Sequence, residues 1–304
     1  MPATKNAPRI LFSNANLAET ANVVKAPHRP ILSPRAVGKF ATRVGADGVD
    51  WQPFYPTYPG SATAFAHAVA TGHIKDFALH QSFNNEEYRG TIADQDLRQR
   101  ILASKLGQKL MLPSVADSAH FMDDIQCKTD RRVPIVYFPR ESDELDKQLR
   151  ATANGSSDLF QPKATHLKMW NARTAEDFGE AIDEREYEVC FDTHHAQGDS
   201  VFGTLLKASA SRARAMHLAV ARYDVPYADA DIAGDFATAR SGNYRGPIGE
   251  AFDAIDEQGD LDFVVIEAPI SGVVHATGYT AMRDIVQVYA ELVDGVRERY
   301  DYVN

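Results

Sequence analysis

Three short apolar runs in this chain each carry a residue that can bind a metal. Residues 187–196 read Tyr-Glu-Val-Cys-Phe-Asp-Thr-His-His-Ala, so one apolar strand delivers an acid and two imidazoles to its end. His217 stands in the apolar run 215–220, and Glu267 closes the almost wholly apolar run 263–267. A carboxylate in such a place is costly unless it is paired or bound to a cation. Because parallel α/β proteins build their sites at the carboxyl ends of strands, the three runs predict one shared site in a parallel sheet.

The rest of the chain alternates strand and helix signals. Strands are predicted at residues 9–14, 48–51, 77–80, 109–113, 133–138, 187–192, 215–220 and 262–267. Helices are predicted between most of them, including one that begins at Pro34 and one capped by Thr174. This alternation, without repeats or a clear linker, favours a single (β/α)8 TIM barrel over residues 1–304. An open doubly wound sheet is the alternative, but no Rossmann or Walker A glycine loop follows any predicted strand.

Two segments depart from this alternation. Residues 140–170 are predicted as a rim insertion, within which 166–170 form a short extra strand or an extended segment. Residues 224–246 are predicted as a lid loop, because they are long for a connection and rich in Asp, Ala, Gly and Tyr. Neither segment identifies the substrate that such a rim would enclose.

Composition restricts the classes of partner. Lys and Arg number 32 and Asp and Glu 42, and the resulting net charge of -10 disfavours nucleic acid as a partner. No apolar run approaches the roughly 18 residues of a membrane span, and the N-terminus lacks a hydrophobic signal core. Cys127 and Cys190 form no CxxC pair, as expected in a reducing cytoplasm. We therefore expect a soluble cytoplasmic protein without a membrane partner, whose oligomeric state is open and includes a homo-oligomer.

Several motifs point to one family. Residues 45–51, Gly-Ala-Asp-Gly-Val-Asp-Trp, are similar to a second-strand motif in which an acidic residue follows Gly-x-x-Gly-Val. Residues 192–196, Asp-Thr-His-His-Ala, are similar to a sixth-strand Asp-Thr-Gly-His-Ala motif, with a histidine in place of its glycine. His217 matches a seventh-strand histidine, and Glu267 matches a final glutamate. With these motifs the chain resembles the xylose isomerase-like TIM barrels, the sugar phosphate isomerase/epimerase superfamily.

The resemblance implies a divalent metal. In that family the ligands are commonly a Glu on strand five, an Asp on strand six, a His on strand seven and a Glu on strand eight. Asp192, His217 and Glu267 match the last three, and such a set suits Zn²⁺, Mn²⁺, Co²⁺ or Mg²⁺. The strand-five glutamate has no match, because the predicted fifth strand, 133–138, carries Tyr137 and Phe138 at that place.

Other residues are candidates to take over from the missing glutamate. Gln161 and His166, within the segment 140–170, are candidates for the missing ligand. Glu141, Asp50 or His80 would replace it in proton transfer.

The predicted site therefore contains two further groups of residues. The predicted catalytic residues are Glu267, His195, His80 and Asp50. The predicted substrate contacts are Trp51, Arg222 and Arg245. Trp51 opens an aromatic segment whose rings suit the apolar face of a sugar, although a stiff rim loop packed on its neighbours explains the same residues. Arg245 could bind a phosphate or carboxylate of the substrate. Alternatively, it is an ordinary surface arginine.

The function predicted from the sequence is a metal-dependent isomerase or epimerase, or a lyase or dehydratase. It would act on a small sugar-like or polyhydroxylated substrate by proton transfer next to a carbonyl. The alternative is a barrel that has lost catalysis and binds a sugar or metabolite, because the strand-five glutamate is missing. A third hypothesis, cleavage of damaged DNA, is disfavoured by the acidic charge.

Overall fold

Eight strands form a closed parallel barrel. The structure is a computed structural model, and it describes residues 7–17, 33–52, 61–80, 115–137, 159–193, 202–220 and 236–301. The strands are β1 (Arg9–Ser13), β2 (Gly48–Trp51), β3 (Phe77–His80), β4 (Ile135–Tyr137), β5 (Leu159–Phe160), β6 (Glu188–Asp192), β7 (Ala213–Ala219) and β8 (Phe263–Glu267). Each strand pairs with the next, and β8 pairs with β1 to close the ring. The predicted (β/α)8 TIM barrel is therefore confirmed.

Helices follow most of the strands. They are α1 (Pro34–Arg43), α2 (Ser61–Ala70), α3 (Val115–Thr129), α4 (Ala164–Met169), α5 (Ala175–Glu184), α6 (Phe202–Ser209), α7 (Gly246–Gln258), α8 (Ile270–Thr277) and α9 (Met282–Asp301). Short 3₁₀ helices lie at Asn14–Leu17 and Ala210–Arg212, and residues 236–240 are helical. No helix among the described residues is both long enough and apolar enough to cross a membrane.

The alternation of side chains along each strand divides the core into two parts. Residues that point away from the barrel axis, such as Phe12 on β1 and Trp51 on β2, pack in the larger cluster beneath the helices. Residues that point inward form a small apolar plug, and its members are Leu11, Ala78, Val136, Leu159, Cys190, Ala215, Phe263 and Val265. Successive residues of a strand face opposite sides. The inward residues beyond the plug therefore form the next layer, toward the carboxyl ends of the strands.

Two glycines bring the chain from α1 into β2. Gly45 has φ of +84°, a left-handed conformation that side chains rarely adopt, and it follows the end of α1. At Gly48 a Cβ atom would lie 2.1 Å from the carbonyl oxygen of Asp76, so only glycine allows β2 to approach this segment. The Gly-x-x-Gly spacing thus sets the register that turns Asp50 inward.

The order of strands differs from the prediction at one place. The strand predicted as the fifth is β4, and it pairs directly with β3 through Leu79 and Ile135. The fifth strand is Leu159–Phe160, which lies inside the segment predicted as a rim insertion. The predicted strand at 109–113 lies outside the described residues.

Two helices begin where the sequence predicts, and one segment predicted as extended is helical. Ser33 caps α1 by accepting from the amide of Ala36, and Thr174 caps α5 by accepting from the amide of Asp177, both as predicted. The prediction of a short strand or extended segment at 166–170 is wrong, because α4 lies there. His166 Nδ1 accepts from the amide of Lys163 and so closes the first turn of this helix. Helix α8 was not predicted. The sequence also predicts helices at 93–106 and 145–153, and both lie outside the described residues.

Candidate metal centre

A layer of polar side chains lies on top of the apolar plug. Its members all point into the barrel, none is more than 6% exposed, and they are Ser13, Asp50, Gln52, His80, Gln161, Asp192, His217 and Glu267. Three of them are carboxylic acids. Among the described residues no lysine or arginine is buried. The layer therefore concentrates acidic groups without a lysine or arginine to balance them.

The three predicted metal ligands meet in this layer. Asp192, His217 and Glu267 end or nearly end the adjacent strands β6, β7 and β8, and each offers a ligand atom within 4.8 Å of the others. The register explains the meeting, because Asp192 lies directly beside His217. The distance from His217 Nδ1 to Glu267 Oε1 is 3.5 Å. A buried group of two carboxylates and one imidazole has the composition of a divalent metal site.

Gln161 stands at the end of β5, next to this group. Its Nε2 donates to Asp192 Oδ2, and its Oε1 lies 3.3 Å from His80 Nε2. The prediction compared the wrong strand with the family's fifth strand. Tyr137 ends the fourth strand and Phe138 is the next residue, whereas the true fifth strand is followed by Gln161. His166, the other candidate for this place, is buried in the helix layer, stacked on Trp170 at 5.7 Å.

Gln52 is a second amide in the layer, and the sequence interpretation did not include it. Its Nε2 donates to Glu267 Oε1 at 3.2 Å and lies 3.5 Å from Asp50 Oδ2. The backbone of Gln52 is fixed by Asn14, whose side chain donates to its carbonyl and accepts from its amide, both at 2.7 Å. Each carboxylate of the metal group therefore accepts from a side-chain amide.

Polar side chains also fix the strand ends that carry the candidate ligands. Asn16 donates to the carbonyl of Ile266 at 2.7 Å and accepts from the amide of Ala268 at 2.8 Å, so it brackets Glu267. Thr193 Oγ1 donates to the carbonyl of His217 and accepts from the amide of Ala219. In the sequence, both are short polar residues that follow an apolar strand within three positions. Side chains of this kind can bind buried backbone groups at the ends of strands.

Replacing Thr193 with valine should destabilise the protein by about 2 kcal/mol, because a buried carbonyl and a buried amide of β7 each lose their partner. Valine keeps the shape of threonine, so the loss of packing is small. The free energy of unfolding, measured with urea, tests this expectation. Thr193→Ser is the matched control, since it keeps the hydroxyl, and equal losses in the two variants would contradict the role given to the hydroxyl.

The charges in the layer shift two pKa values. Burial would lower the pKa of His217, but Cys190 and Glu267 beside it raise that pKa well above its ordinary value. Burial raises the pKa of Asp50 to about 6, with an opposing influence of His217 and an added one of Glu267. In the absence of a cation, protons therefore supply the balancing charge, and a metal bound at His217 would have to displace one. Neither His217 ring nitrogen nor Asp50 Oδ1 has a hydrogen-bond partner among the described residues.

The structure brings some of the other predicted site residues into this layer and leaves others apart. Asp50 and His80 are in the layer, and the His80 and His217 rings are 5.2 Å apart. Trp51 points to the opposite side of β2, where it packs on Phe65 with ring centroids 5.2 Å apart. This placement favours a core role for Trp51 over contact with a substrate.

The remaining predicted residues lie at or beyond the limits of the description. Arg245 is exposed at the start of α7, outside the polar layer. His195, Arg222 and Glu141 lie outside the described residues, and their roles stay predictions. The same holds for most of the predicted lid loop, of which the structure describes 236–246.

Comparison with solved structures places the fold among known barrels. A D-allulose 3-epimerase from Methylomonas sp., in complex with D-allulose, is 13% identical, with a TM-score of 0.51 over 96% of this chain and 98% of that chain. SacUVDE is 8% identical, with a TM-score of 0.41 over 96% of this chain and 98% of that chain. No family model and no curated protein sequence matches the chain. The first similarity shows a shared fold, which in this chain is the closed (β/α)8 barrel.

Proposed function

We propose that this protein is a metal-dependent isomerase or epimerase that moves a proton next to the carbonyl of a small sugar or polyhydroxylated substrate. The observation that carries the proposal is the polar layer, in which three carboxylic acids and two imidazoles are buried together at strand ends. Buried carboxylates need cations or protons as partners. A lyase or dehydratase would begin with the same removal of a proton and belongs to the same proposal.

Each residue of the metal group has a distinct role in this proposal. Asp192, His217 and Glu267 would hold the ion, and a ligand set with two carboxylates and one imidazole suits Mn²⁺, Co²⁺, Zn²⁺ or Mg²⁺. The bound ion supplies Lewis acidity, which polarises a carbonyl and stabilises the negative charge that develops on its oxygen. Glu267 is the proposed base for the carbon-bound proton, since a carboxylate at a strand end can accept it.

His80 is the proposed partner in proton transfer. Its ring lies beside that of His217, and Gln161 Oε1 is 3.3 Å from its Nε2. An amide oxygen only accepts, so this contact requires His80 Nε2 to carry a hydrogen. With Nε2 protonated, Nδ1 of the neutral ring is an acceptor, so His80 can take a proton from a substrate oxygen and can give one only from the doubly protonated ring. Asp50, which is also buried, is the alternative group for this transfer.

The likeness in fold supports a sugar as the class of substrate. The similar barrel is an epimerase whose structure contains D-allulose. Its low sequence identity supports no particular sugar for this chain. D-allulose is therefore the first compound to test, followed by other ketoses and aldoses.

A barrel that binds a sugar or metabolite without turning it over is the second candidate. Gln161 favours it, because an amide after β5 cannot accept the proton that a carboxylate there would accept. Binding without chemistry would leave the metal group intact but unproductive.

Proton exchange with solvent separates the two candidates. The protein, loaded with Mn²⁺ or Co²⁺ and incubated with D-allulose and related sugars in D₂O, is expected to introduce deuterium next to the carbonyl. Glu267→Gln should abolish this exchange, whereas Glu257→Gln, an exposed glutamate on α7, should leave it unchanged. Mass spectrometry of the recovered sugar gives the result. A sugar that binds but never acquires deuterium would favour the binding protein, and exchange that survives in Glu267→Gln would exclude Glu267 as the base.

A further inference from the structure

Gln161 connects two groups of the polar layer that lie on different sides of β5. It is 1% exposed, and its amide contacts Asp192 on β6 with one end and His80 on β3 with the other. Gln161 therefore connects a candidate ligand with the histidine proposed for proton transfer.

The direction of the amide follows from its neighbours. An ionised carboxylate only accepts hydrogen bonds, so Asp192 must face the NH₂ group of Gln161. The oxygen of Gln161 is then directed to His80 and, through it, to the His217 side of the layer. Gln161 thus contacts the metal group through its NH₂ group and His80 through its oxygen, and it adds no charge to the layer.

The neutrality of the Gln161 amide matters because the metal group itself is charged. Asp192 and Glu267 carry two negative charges when they are ionised, and His217 is neutral when it is a ligand. The net charge of the group with one bound divalent cation is then zero. A carboxylate at position 161 would add a third negative charge in direct contact with Asp192.

We propose that Gln161 is a member of the metal centre and that its amide, in place of a charged ligand, sets the affinity of the centre and its preference among divalent cations. This inference rests on the metal centre of the proposed function. Charged oxygen ligands favour hard ions such as Mn²⁺ and Mg²⁺, whereas the imidazole of His217 suits Zn²⁺ as well. With an amide at position 161, the preference for the harder ions is weaker than with a carboxylate.

Gln52 provides the comparison within the same layer. It too donates an amide N–H to a candidate ligand, Glu267, but its other neighbour is the acid Asp50 rather than a histidine. A glutamate at position 52 would therefore stand between two carboxylic acids. A glutamate at 161 would stand between one carboxylate and His80, which can carry a balancing proton.

The test is titration calorimetry of the whole chain with Mn²⁺ alone and with Zn²⁺ alone. Gln161→Glu is expected to bind Mn²⁺ about 10-fold more tightly or better, with a smaller gain for Zn²⁺, and Gln161→Met to bind Mn²⁺ about 10-fold more weakly. Gln52→Glu adds the same charge to the same layer, and we expect it to change the two affinities by similar factors. The ratio of the Mn²⁺ and Zn²⁺ affinities thus separates a member of the metal centre from a nearby charge.

Several outcomes would overturn the inference. Wild-type binding of both ions in Gln161→Glu and Gln161→Met would show that position 161 is not part of the centre. Equal factors for the two ions in Gln161→Glu would show that only charge matters there. If Gln161→Glu does not fold, as its melting temperature would reveal, Gln161→Met alone decides. A wild-type chain that binds neither ion would instead contradict the proposed function itself.

Discussion

Replacing Asp192 with asparagine is expected to weaken Mn²⁺ binding at least about 100-fold, since changes even to groups that only support metal ligands cost 10- to 100-fold. The variant removes one of the two negative charges that would balance the ion. Asparagine can still turn its carbonyl oxygen to Gln161 Nε2, so the contact between β5 and β6 is kept. The loss should therefore appear in metal affinity and not in folding.

Metal content is the direct measurement of this prediction. Protein purified without a histidine tag and loaded with Mn²⁺ should carry close to one ion per chain, and Asp192→Asn should carry almost none by mass spectrometry. Asp262→Asn is the matched control, because it makes the same change of charge just before β8, at the opposite end of the barrel, where Asp262 Oδ1 accepts from Arg214. Retention of the ion in Asp192→Asn would remove Asp192 from the ligand set, and equal losses in both variants would point to net charge alone.

The sequence predicted the metal group because its residues follow a simple rule. A long apolar run predicts a buried strand, and a polar residue at its carboxyl end is directed to the site of a parallel barrel. Strands β6, β7 and β8 are five to seven residues long, so this rule could be applied to each of them. The approach of Asp192, His217 and Glu267 then followed from strand order, without knowledge of any contact.

The same rule failed where the strand was too short to recognise. Strand β5 has two residues, Leu159 and Phe160, and two residues show no periodicity. The sequence also predicted a strand at 109–113, which was counted as the fourth, so β4 was taken as the fifth. The predicted total was still eight, and the omission of β5 was therefore not apparent. Gln161 was consequently named as a candidate only from its position in an irregular segment. Short strands are stable here because both neighbours, β4 and β6, pair with them.

Residues that act through the backbone were missed for a different reason. Asn14, Asn16 and Thr193 bind the main chain of another strand, and the identity of that strand depends on the closed barrel. A sequence shows that such residues follow strands, but not which strand end they reach. Trp51 shows the converse, since its side of β2 could be deduced from alternation with the inward Asp50.

Asp50→Asn is expected to make the metal-free protein more stable above pH 6 and to have much less effect at low pH. The pKa of Asp50 is raised from 3.8 to about 6, chiefly by burial. The folded state thus holds the proton more tightly than the unfolded state. The stability that this proton contributes is complete below pH 3.8 and is lost as the pH rises through about 6. At neutral pH the ionised carboxylate then costs about 3 kcal/mol, which an asparagine does not.

Urea unfolding at several pH values, in the presence of a chelator, tests this prediction. The difference in the free energy of unfolding between Asp50→Asn and the wild type should grow by about 2 kcal/mol between pH 4.5 and 7.5. Comparing the two proteins at each pH removes the titration of the groups that do not interact with Asp50. Glu176→Gln, which changes an acid whose side chain is 79% exposed, should show no such growth. A constant difference between Asp50→Asn and the wild type would mean that Asp50 titrates alike in the folded and unfolded states.

With saturating Mn²⁺ the pH-dependent gain should shrink. A divalent cation held by Asp192, His217 and Glu267 favours the ionised form of a nearby buried acid, and it thereby removes the cost that asparagine relieves. The metal should therefore stabilise the wild type more than Asp50→Asn at neutral pH. If Mn²⁺ raised the melting temperatures of both proteins equally, the ion would lie too far from Asp50 for the two to interact, and the polar layer would not be a single electrostatic unit.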